Sequence, residues 1–528
     1  MELVTESITK SITKSITKPI TKSIWYESVE IPEREALKGD CKVDAAVIGG
    51  GLSGILTAWF LKRAGLNVLV LEGGRIGSGQ TGKTTAKITV SHNLIYDSLI
   101  CKLGMERAQQ YADANVAALK MYKQLIKEEQ ISCDFRVCPS YLYSVLDTEK
   151  LEKEMEAVKK LGISADYTKQ TELPFSVKAA LCYEEQACFH PLKFLKHLAS
   201  ELEIVENTRA ESVNEHQIIT NHGVVEAEHI VFASHYPFIN MPGFYFLRMH
   251  QERSYVAAFT GCRQLDGMYL GIDASLPVQK DNNRGQNLSF RSYGDYLLLG
   301  GYGHRTGKNA EGGQYEKLKE LAEHYWPGCE AEFFWSAQDC MTASGIPYIG
   351  KYSSCRTNWY VATGFQKWGM TSSMVSAMIL YNMIMKNEKT MQTFPARNEY
   401  TAKQMQVFSP QNLYLTKSAP GFAKEGFSAA KNLLKQQLFI PGKYLKEIPN
   451  GQGGVIHYQG KKLGVYKDME GTPYFVTTKC PHLGCELTWN PEEKSWDCPC
   501  HGSRFDYQGN LLDNPAQKGI SWSVSDTL

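Results

Sequence analysis

Neither sign of charge is in excess: 57 Lys and Arg stand against 56 Asp and Glu, a net of +1. That removes the basic field of a nucleic-acid binder and the polybasic patch of a membrane-surface protein. Long apolar runs are lacking too. The stretch Met374–Met385 is twelve residues and contains Ser376 and Asn382. It is too short to span a bilayer and reads as a buried helix, so no transmembrane segment is expected and membrane contact would be peripheral at most. At 43% hydrophobic and 21% charged, the chain is not mostly disordered. Nor is it a secreted disulfide scaffold: ten of the fourteen cysteines are scattered singly between Cys41 and Cys355. That usage suits a reducing compartment, and a cytoplasmic location is expected. The other four cysteines crowd into Cys480–Cys500 and need a separate explanation. The 528 residues, at about 150 per domain, predict two to four domains.

The first residues repeat. SITK occupies 7–10, 11–14 and 15–18, and PITK follows at 19–22. On a helix, isoleucines four apart drift by about 40° per step and make no common face. On a strand, Ile and Lys would share a face. The segment also lacks the apolar core of a secretion signal and the arginines of a transit peptide. Residues 1–40 are therefore expected to be a largely disordered extension.

Asp44–Gly49 and Asn67–Glu72 then read as buried strands flanking a helix, Leu52–Ala64, stopped by Gly65. Strands so apolar belong in the centre of a parallel sheet. A long helix is expected from about Tyr96 to Glu129, with further buried strands at His229–Ser234 and Trp359–Thr363. Residues 387–440 are polar and read as a connector free to pack on either neighbour, with one helix at Phe422–Phe439. From 441 to 528, short alternating runs between Gly, Asp and Asn turns predict a small all-β domain.

Gly49, Gly50, Gly51, Leu52, Ser53 and Gly54 satisfy G-x-G-x-x-G between that first strand and helix, and Glu72 ends the next strand. Gly49 permits the tight turn, Gly51 lets backbone approach a pyrophosphate, and Gly54 lets helix and strand pack closely. The helix N-terminus offers free N–H groups to phosphate, and Glu72 can accept from ribose hydroxyls. No second fingerprint follows mid-chain: Gly300, Gly301 and Gly303 lack the spacing and the acid. One dinucleotide is expected.

These residues, the run Glu72–Arg75 and the stretch Gly79–Lys87 resemble the FAD-dependent oxidoreductases of the D-amino-acid oxidase superfamily. So do TASGIPYIG at 342–350 and ATGFQKWGMT at 362–371. The resemblance spans roughly residues 40–390. It implies a Rossmann-type α/β FAD domain, here 41–386, with an inserted α+β substrate domain and oxidation of an amine or amino-acid C–N bond. It implies that Arg75, Thr84, Gly364, Gly369 and Met370 lie by the cofactor, where a helix N-terminus favours negative charge on the reduced ring. Catalytic residues are not identified. Arg253, Arg291 and Arg305 are candidates for a substrate carboxylate only by type and read as surface or ion-pair residues. His190 and His235 read as packed histidines.

Near the end stand Cys480-Pro-His482-Leu-Gly-Cys485 and Cys498-Pro-Cys500-His501-Gly-Ser503. Two thiolates and two imidazoles on two short loops could hold zinc. A zinc site, however, needs neither a further cysteine in each loop nor the Gly-Ser after the last histidine. Both loops resemble those of Rieske proteins, whose [2Fe–2S] cluster has Cys₂ on one iron and His₂ on the other. That resemblance implies Cys480 and Cys498 on the inner iron, His482 and His501 on the outer, and a Cys485–Cys500 disulfide clamping the loops. The clamp is that of electron-transfer Rieske proteins such as cytochrome bc-complex subunits. Ser503 matches their hydroxyl donor to a cluster sulfide. Phe505 departs from a tyrosine that donates to a ligand cysteine, and Asn514 departs from a glycine.

The whole order, including KTTAKIT at 83–89, WSAQD at 335–339 and WDCPCHGSRF at 496–505, resembles bacterial FAD-dependent oxidoreductases fused to a C-terminal Rieske domain. The implied activity is oxidation of a small amine or amino acid, with a flavin mediating between pairs of electrons and single ones. The histidines are expected at an exposed tip, exchanging electrons with an external donor or acceptor. A Rieske-fed flavin monooxygenase and a non-catalytic redox sensor are the alternatives.

Overall fold

The computed structural model describes residues 22–273, 287–385, 405–412, 445–458 and 460–523. Its first sheet is built around the expected βαβ unit. Strands Arg356–Thr363, Gly223–Phe232, Cys41–Ile48, Val68–Leu71 and Glu203–Val205 lie in that spatial order, all parallel. Their inner residues, such as Ala45, Val47 and Val70, are wholly buried, as strands covered on both faces require. Helix Leu52–Arg63 lies on one face beside helix Gly369–Met385, and Ser53 Oγ meets Ser376 Oγ at 2.7 Å. The second helix is the run read as a buried helix. No helix among the described residues is long and apolar enough to cross a membrane.

A second, mostly antiparallel sheet forms the inserted part. Its strand Met249–Thr260 lies between Tyr296–Arg305 and the edge strand Glu330–Thr342. The C-terminal part holds two small antiparallel sheets of three and four strands. The fold class read from the sequence, a Rossmann-type α/β domain with an inserted α+β region followed by a small all-β domain, is the one observed.

Two boundaries differ from expectation. Residues 22–40 are not a loose extension: Trp25 is wholly buried, edge-on to Tyr293 and His190, and donates Nε1 to the Thr84 carbonyl at 2.7 Å. Where the repeat has Thr-Lys, this copy has Trp25-Tyr26, and two aromatic rings supply apolar surface worth burying. The SITK copies lie outside the described residues. The long helix is two, Tyr96–Leu103 and Met105–Glu128, because Gly104 adopts φ 86°, ψ 166°, open to glycine alone. Within the connector, Val407 and Phe408 pack into the front core, Phe408 against Tyr111. The expected helix at 422–439 lies outside the described residues.

Candidate functional site

A cavity of about 1010 Å³ runs from the glycine turn to the inserted sheet. Gly49 has φ +117°, and a Cβ on Gly54 would sit 2.0 Å from the Gly49 carbonyl oxygen, so only glycine closes this turn. A Cβ on Gly51 would meet only Thr81 Oγ1, at 3.4 Å. Gly51 is thus open to the cavity and Gly54 is pinned inside the fold. Glu72 lines the cavity and accepts from the Gly50 and Gly74 N–H groups at 2.7 and 2.8 Å. Burial raises its pKa against these bonds, and its carboxylate retains further lone pairs for a ribose.

Gly49, Gly51, Ser53, Glu72, Thr84, Gly364, Gly369 and Met370 line one cavity. Gly50 and Gly54 support the turn from behind. Gly364 lies at φ +71°, where a Cβ would strike Thr342, and Gly369 opens the buried helix towards the cavity. Arg75 is a correction. Its side chain turns away to Glu206, at 2.9 Å, to Glu33 and to the Ile31 carbonyl. Glu206 is wholly buried and requires a cation beside it.

The far wall was not foreseen. Glu252, Ser254 and Val256 on one strand and Ala337, Asp339 and Met341 on its neighbour face the cavity, with Glu252 and Asp339 in direct cross-strand register. Lys367 reaches Glu252 at 3.4 Å and Ser254 Oγ at 3.0 Å. Burial pushes the Asp339 carboxyl up to about 7, with Glu252 adding to it and Lys367 opposing. Burial and the Arg291 charge bring Lys87, another lining residue, down to about 7. Asp339 lies in WSAQD and Lys87 in KTTAKIT, runs that carry the family resemblance. Period-two alternation was their one chemical signal, and it cannot say which face meets a cavity.

None of the three candidate arginines lines the cavity. Arg253 pairs with Glu493 at 2.9 Å, Arg291 donates to the Thr85 and Ala86 carbonyls, and Arg305 donates to those of Pro499 and Cys500. His190 is packed and satisfied, accepting from Lys193 N–H and meeting Ser28 Oγ. His235 lines the cavity instead, and its buried Nε2 has no hydrogen-bond partner among the described residues.

At the other end, Cys485 and Cys500 are joined by a disulfide, Cα–Cα 6.5 Å, which ties the two loops together. Cys480 and Cys498 are buried beside it, and the His482 and His501 rings lie 4.9 Å apart. Both histidines have a buried Nδ1 without a partner among the described residues. Burial lowers His482 to about 4 and His501 to about 3, keeping each ring neutral with a lone pair to offer. Two thiols and two unspent imidazole nitrogens suit a Cys₂His₂ cluster. Phe505 is wholly buried, and Ser503 Oγ accepts the Ala516 N–H at 3.0 Å.

The expectation of an exposed tip is corrected. The loops are seated on the inserted sheet: His501 is buried, His482 is half-buried, and His482 Nε2 meets Asn240 Oδ1 at 2.8 Å. Gln251 Nε2 donates to the carbonyls of His501 and Asn514, and Gln338 Nε2 to that of Gly502. Asn514, the departure from glycine, donates to the Ser234 and Tyr236 carbonyls at 2.8 Å each. Glu493 anchors the contact, accepting from Arg253, Ser336 and Tyr315. Arg253 and Arg504 hold its carboxyl down to about 2 although burial opposes them.

Two family descriptions match the chain: "FAD dependent oxidoreductase" over residues 44–383 and "Rieske [2Fe-2S] domain" over 440–523. The Bacillus subtilis (strain 168) protein YhfW, named for a Rieske 2Fe-2S iron-sulfur centre, is 35% identical over 510 residues, 94% of this chain and 96% of that one. The gamma-glutamylputrescine oxidoreductase of Escherichia coli (strain K12) is 21% identical over 68% of this chain and 88% of its own. Among solved structures, the glycine oxidase of Geobacillus kaustophilus shares the fold with a TM-score of 0.55 at 16% identity, over 70% of this chain and 99% of that one.

Proposed function

Because the chain belongs to the FAD-dependent oxidoreductases and ends in a Rieske [2Fe–2S] domain, we propose that it oxidises the C–N bond of an amine or amino acid in the front cavity and releases the electrons singly to an outside partner. Its cofactors are FAD and a [2Fe–2S] cluster. When bound, FAD accepts an electron pair from an organic substrate, and a Rieske cluster carries single electrons. Gly49, Gly51 and Glu72 are the proposed nucleotide contacts, with Gly364, Gly369 and Met370 at the ring end. Cys480, Cys498 and the Nδ1 atoms of His482 and His501 are the proposed cluster ligands. The proposed units are 22–385 and 441–528, the first now including the packed residues 22–40.

One observation carries this reading. Along Met249–Thr260 and Glu330–Thr342, alternate side chains serve opposite faces. Glu252, Ser254, Ala337 and Asp339 face the cavity, while Gln251 and Gln338 hold the Cys–His loops and Arg253 and Ser336 hold Glu493, on the turn between Thr488–Asn490 and Ser495–Asp497. A single β-layer therefore lies between the cavity and the Cys–His loops. That is a geometry for internal electron exchange between them. The amine reading is supported by the kinship to the gamma-glutamylputrescine oxidoreductase and by Asp339. An amine must shed its ammonium proton before its C–N bond is oxidised, and a buried carboxyl titrating near 7 is suited to take it.

The test is anaerobic mixing of the holoenzyme with amines and amino acids, following flavin bleaching and then the cluster signal. Bleaching is expected first and cluster reduction second, with the bleaching rate rising as pH passes through about 7. In Asp339→Asn that rise should vanish and the rate fall about 100-fold. Failure of every amine and amino acid to bleach the flavin would end the proposal.

A further inference from the structure

Soluble surfaces seldom gather large apolar side chains without a use for them. Here three lie on one short loop: Met241 is 69% exposed, Phe244 45% and Leu247 48%. Leu483, 40% exposed, follows His482 directly. The two groups meet through the His482–Asn240 hydrogen bond. Rings continue the contact inward, from Phe244 to Phe246 at 6.2 Å, from Phe246 to His501 at 6.0 Å, and from His501 to His482 at 4.9 Å. The patch is thus the outer rim of the seated Cys–His loops.

The loop is held in place. Arg248, buried beneath it, donates to the carbonyls of Gly243 and Pro410 and lies over the rings of Tyr245 and Tyr348. Tyr245 Oη donates to the Tyr352 carbonyl at 2.8 Å. Gly243 has no room for a Cβ against the Tyr245 ring. Phe244 sits at φ 51°, ψ 34°, a conformation a bulky residue adopts only when its surroundings impose it. The chain accepts strain here while turning that ring outward. The segments that carry the patch are uncharged: neither 235–247 nor 480–485 contains Asp, Glu, Lys or Arg, and the nearest charges along the chain are buried Arg248 and the pair Lys479 and Glu486.

We propose that Met241, Phe244, Leu247 and Leu483 form the docking face for an external one-electron carrier protein. The inference rests on the reading that electrons leave through the Cys–His centre. Met and Phe enrichment with charge depletion is the composition of a protein interface core. Four side-chain tips suit the small contacts of transient electron-transfer pairs and fall short of a stable dimer. A lipid surface would call for Lys or Arg among the apolar tips, and neither segment that carries them contains one. In each encounter the carrier gains one electron and this chain loses one, with no bond made or broken.

The probe is an oxidised c-type cytochrome, with ferricyanide as the small acceptor needing no docking face. The photoreduced holoprotein is mixed with each. Met241→Ser/Leu247→Ser should slow oxidation by the cytochrome about tenfold and leave oxidation by ferricyanide unchanged, and Met241→Leu/Leu247→Met should restore the first rate. Independently of turnover, peroxide should oxidise Met241 readily in the free holoprotein and more slowly with excess cytochrome. Equal cytochrome rates in wild type and the serine variant would overturn the proposal. So would a parallel loss with ferricyanide, which would mean damage to the Cys–His centre. Protection of Met241 in the free protein would mean the chain covers its own patch. Binding to phosphatidylcholine vesicles, or a dimer, lost in the serine variant would substitute lipid or a second copy. If neither acceptor draws electrons from the wild-type centre, the reading beneath the proposal fails as well, and that pattern differs from all the others.

Discussion

The glycine turn and the seat of the Cys–His loops, the two places proposed to hold a redox centre, are built by opposite means. The turn works through backbone. Gly49 and Gly54 are fixed by contacts that no side chain could survive, and their spacing is visible in the letters. The seat works through side chains drawn from distant segments: Gln251, Gln338, Arg253 and Asn514. Each is an ordinary residue on its own. The difference shows where chemical constraint is written locally and where it exists only after folding.

The largest expected effect breaks the turn. Gly54→Ala places a Cβ 2.0 Å from the Gly49 carbonyl oxygen and 3.3 Å from Val47. The obstacle is backbone, which cannot step aside, so a loss of about 3 kcal/mol and of bound flavin is expected. Gly51→Ala sharpens the point, because its Cβ meets only Thr81 Oγ1 at 3.4 Å. That variant should keep the apoprotein melting temperature and lose flavin content alone. Thermal denaturation with and without FAD separates the two. Equal apoprotein melting temperatures for both variants would remove the distinction between a packing glycine and an approach glycine.

The same contrast explains how much the sequence disclosed. The parallel sheet, the glycine turn, Glu72 and both Cys–His loops were legible because each is a short run whose spacing is its chemistry. Arg75 misled, since a run cannot show that Glu206, 131 positions on, waits buried for its charge. Asn514 is a departure visible in the letters, but its meaning lies in the Ser234 and Tyr236 carbonyls that receive its amide. Glu252 and Asp339 alternate with Gln251, Arg253 and Gln338, and nothing local says which set faces a cavity. Trp25 was hidden by the repeats before it, although two adjacent aromatic rings argue against a solvated tail.

A middle-sized effect tests the seat. Arg253 is almost wholly buried and Glu493 largely so. Arg253→Met leaves that carboxylate with Arg504, Ser336 and Tyr315, and a loss of about 2 kcal/mol is expected, short of a fully orphaned buried charge. The pH dependence has a definite sign. The Glu493 carboxyl is held down to about 2 in the folded chain. Its contribution is complete above the ordinary glutamate range, about 4.3, and is lost as pH falls from there towards 2. Wild type and variant should therefore differ most at neutral pH and converge in acid. Denaturant unfolding across that window measures it, and a gap that widens in acid would refute the ion-pair account.

The smallest effect lies inside the Cys–His module, away from both turn and seat. Phe505 is wholly buried, on the strand paired with Ser495–Asp497, which leads into Cys498. It stands where the resemblance has a tyrosine donating to a ligand cysteine. Without that donor, negative charge on the sulfur is less stabilised in the electron-rich state, and the potential is lower. A charge-assisted hydrogen bond contributes roughly 1.5–3 kcal/mol, and a one-electron couple moves about 59 mV for each tenfold change in its equilibrium constant. Part of that gain is offset by fitting a hydroxyl into a filled core. Phe505→Tyr should thus raise the midpoint potential by several tens of millivolts while the flavin potential stays put, because the hydroxyl reaches only its own module. Spectroelectrochemical titration of both centres in one sample decides it. A flavin shift equal to the cluster shift would mean that the single β-layer transmits packing as well as electrons, and the separation of duties between its two faces would no longer hold.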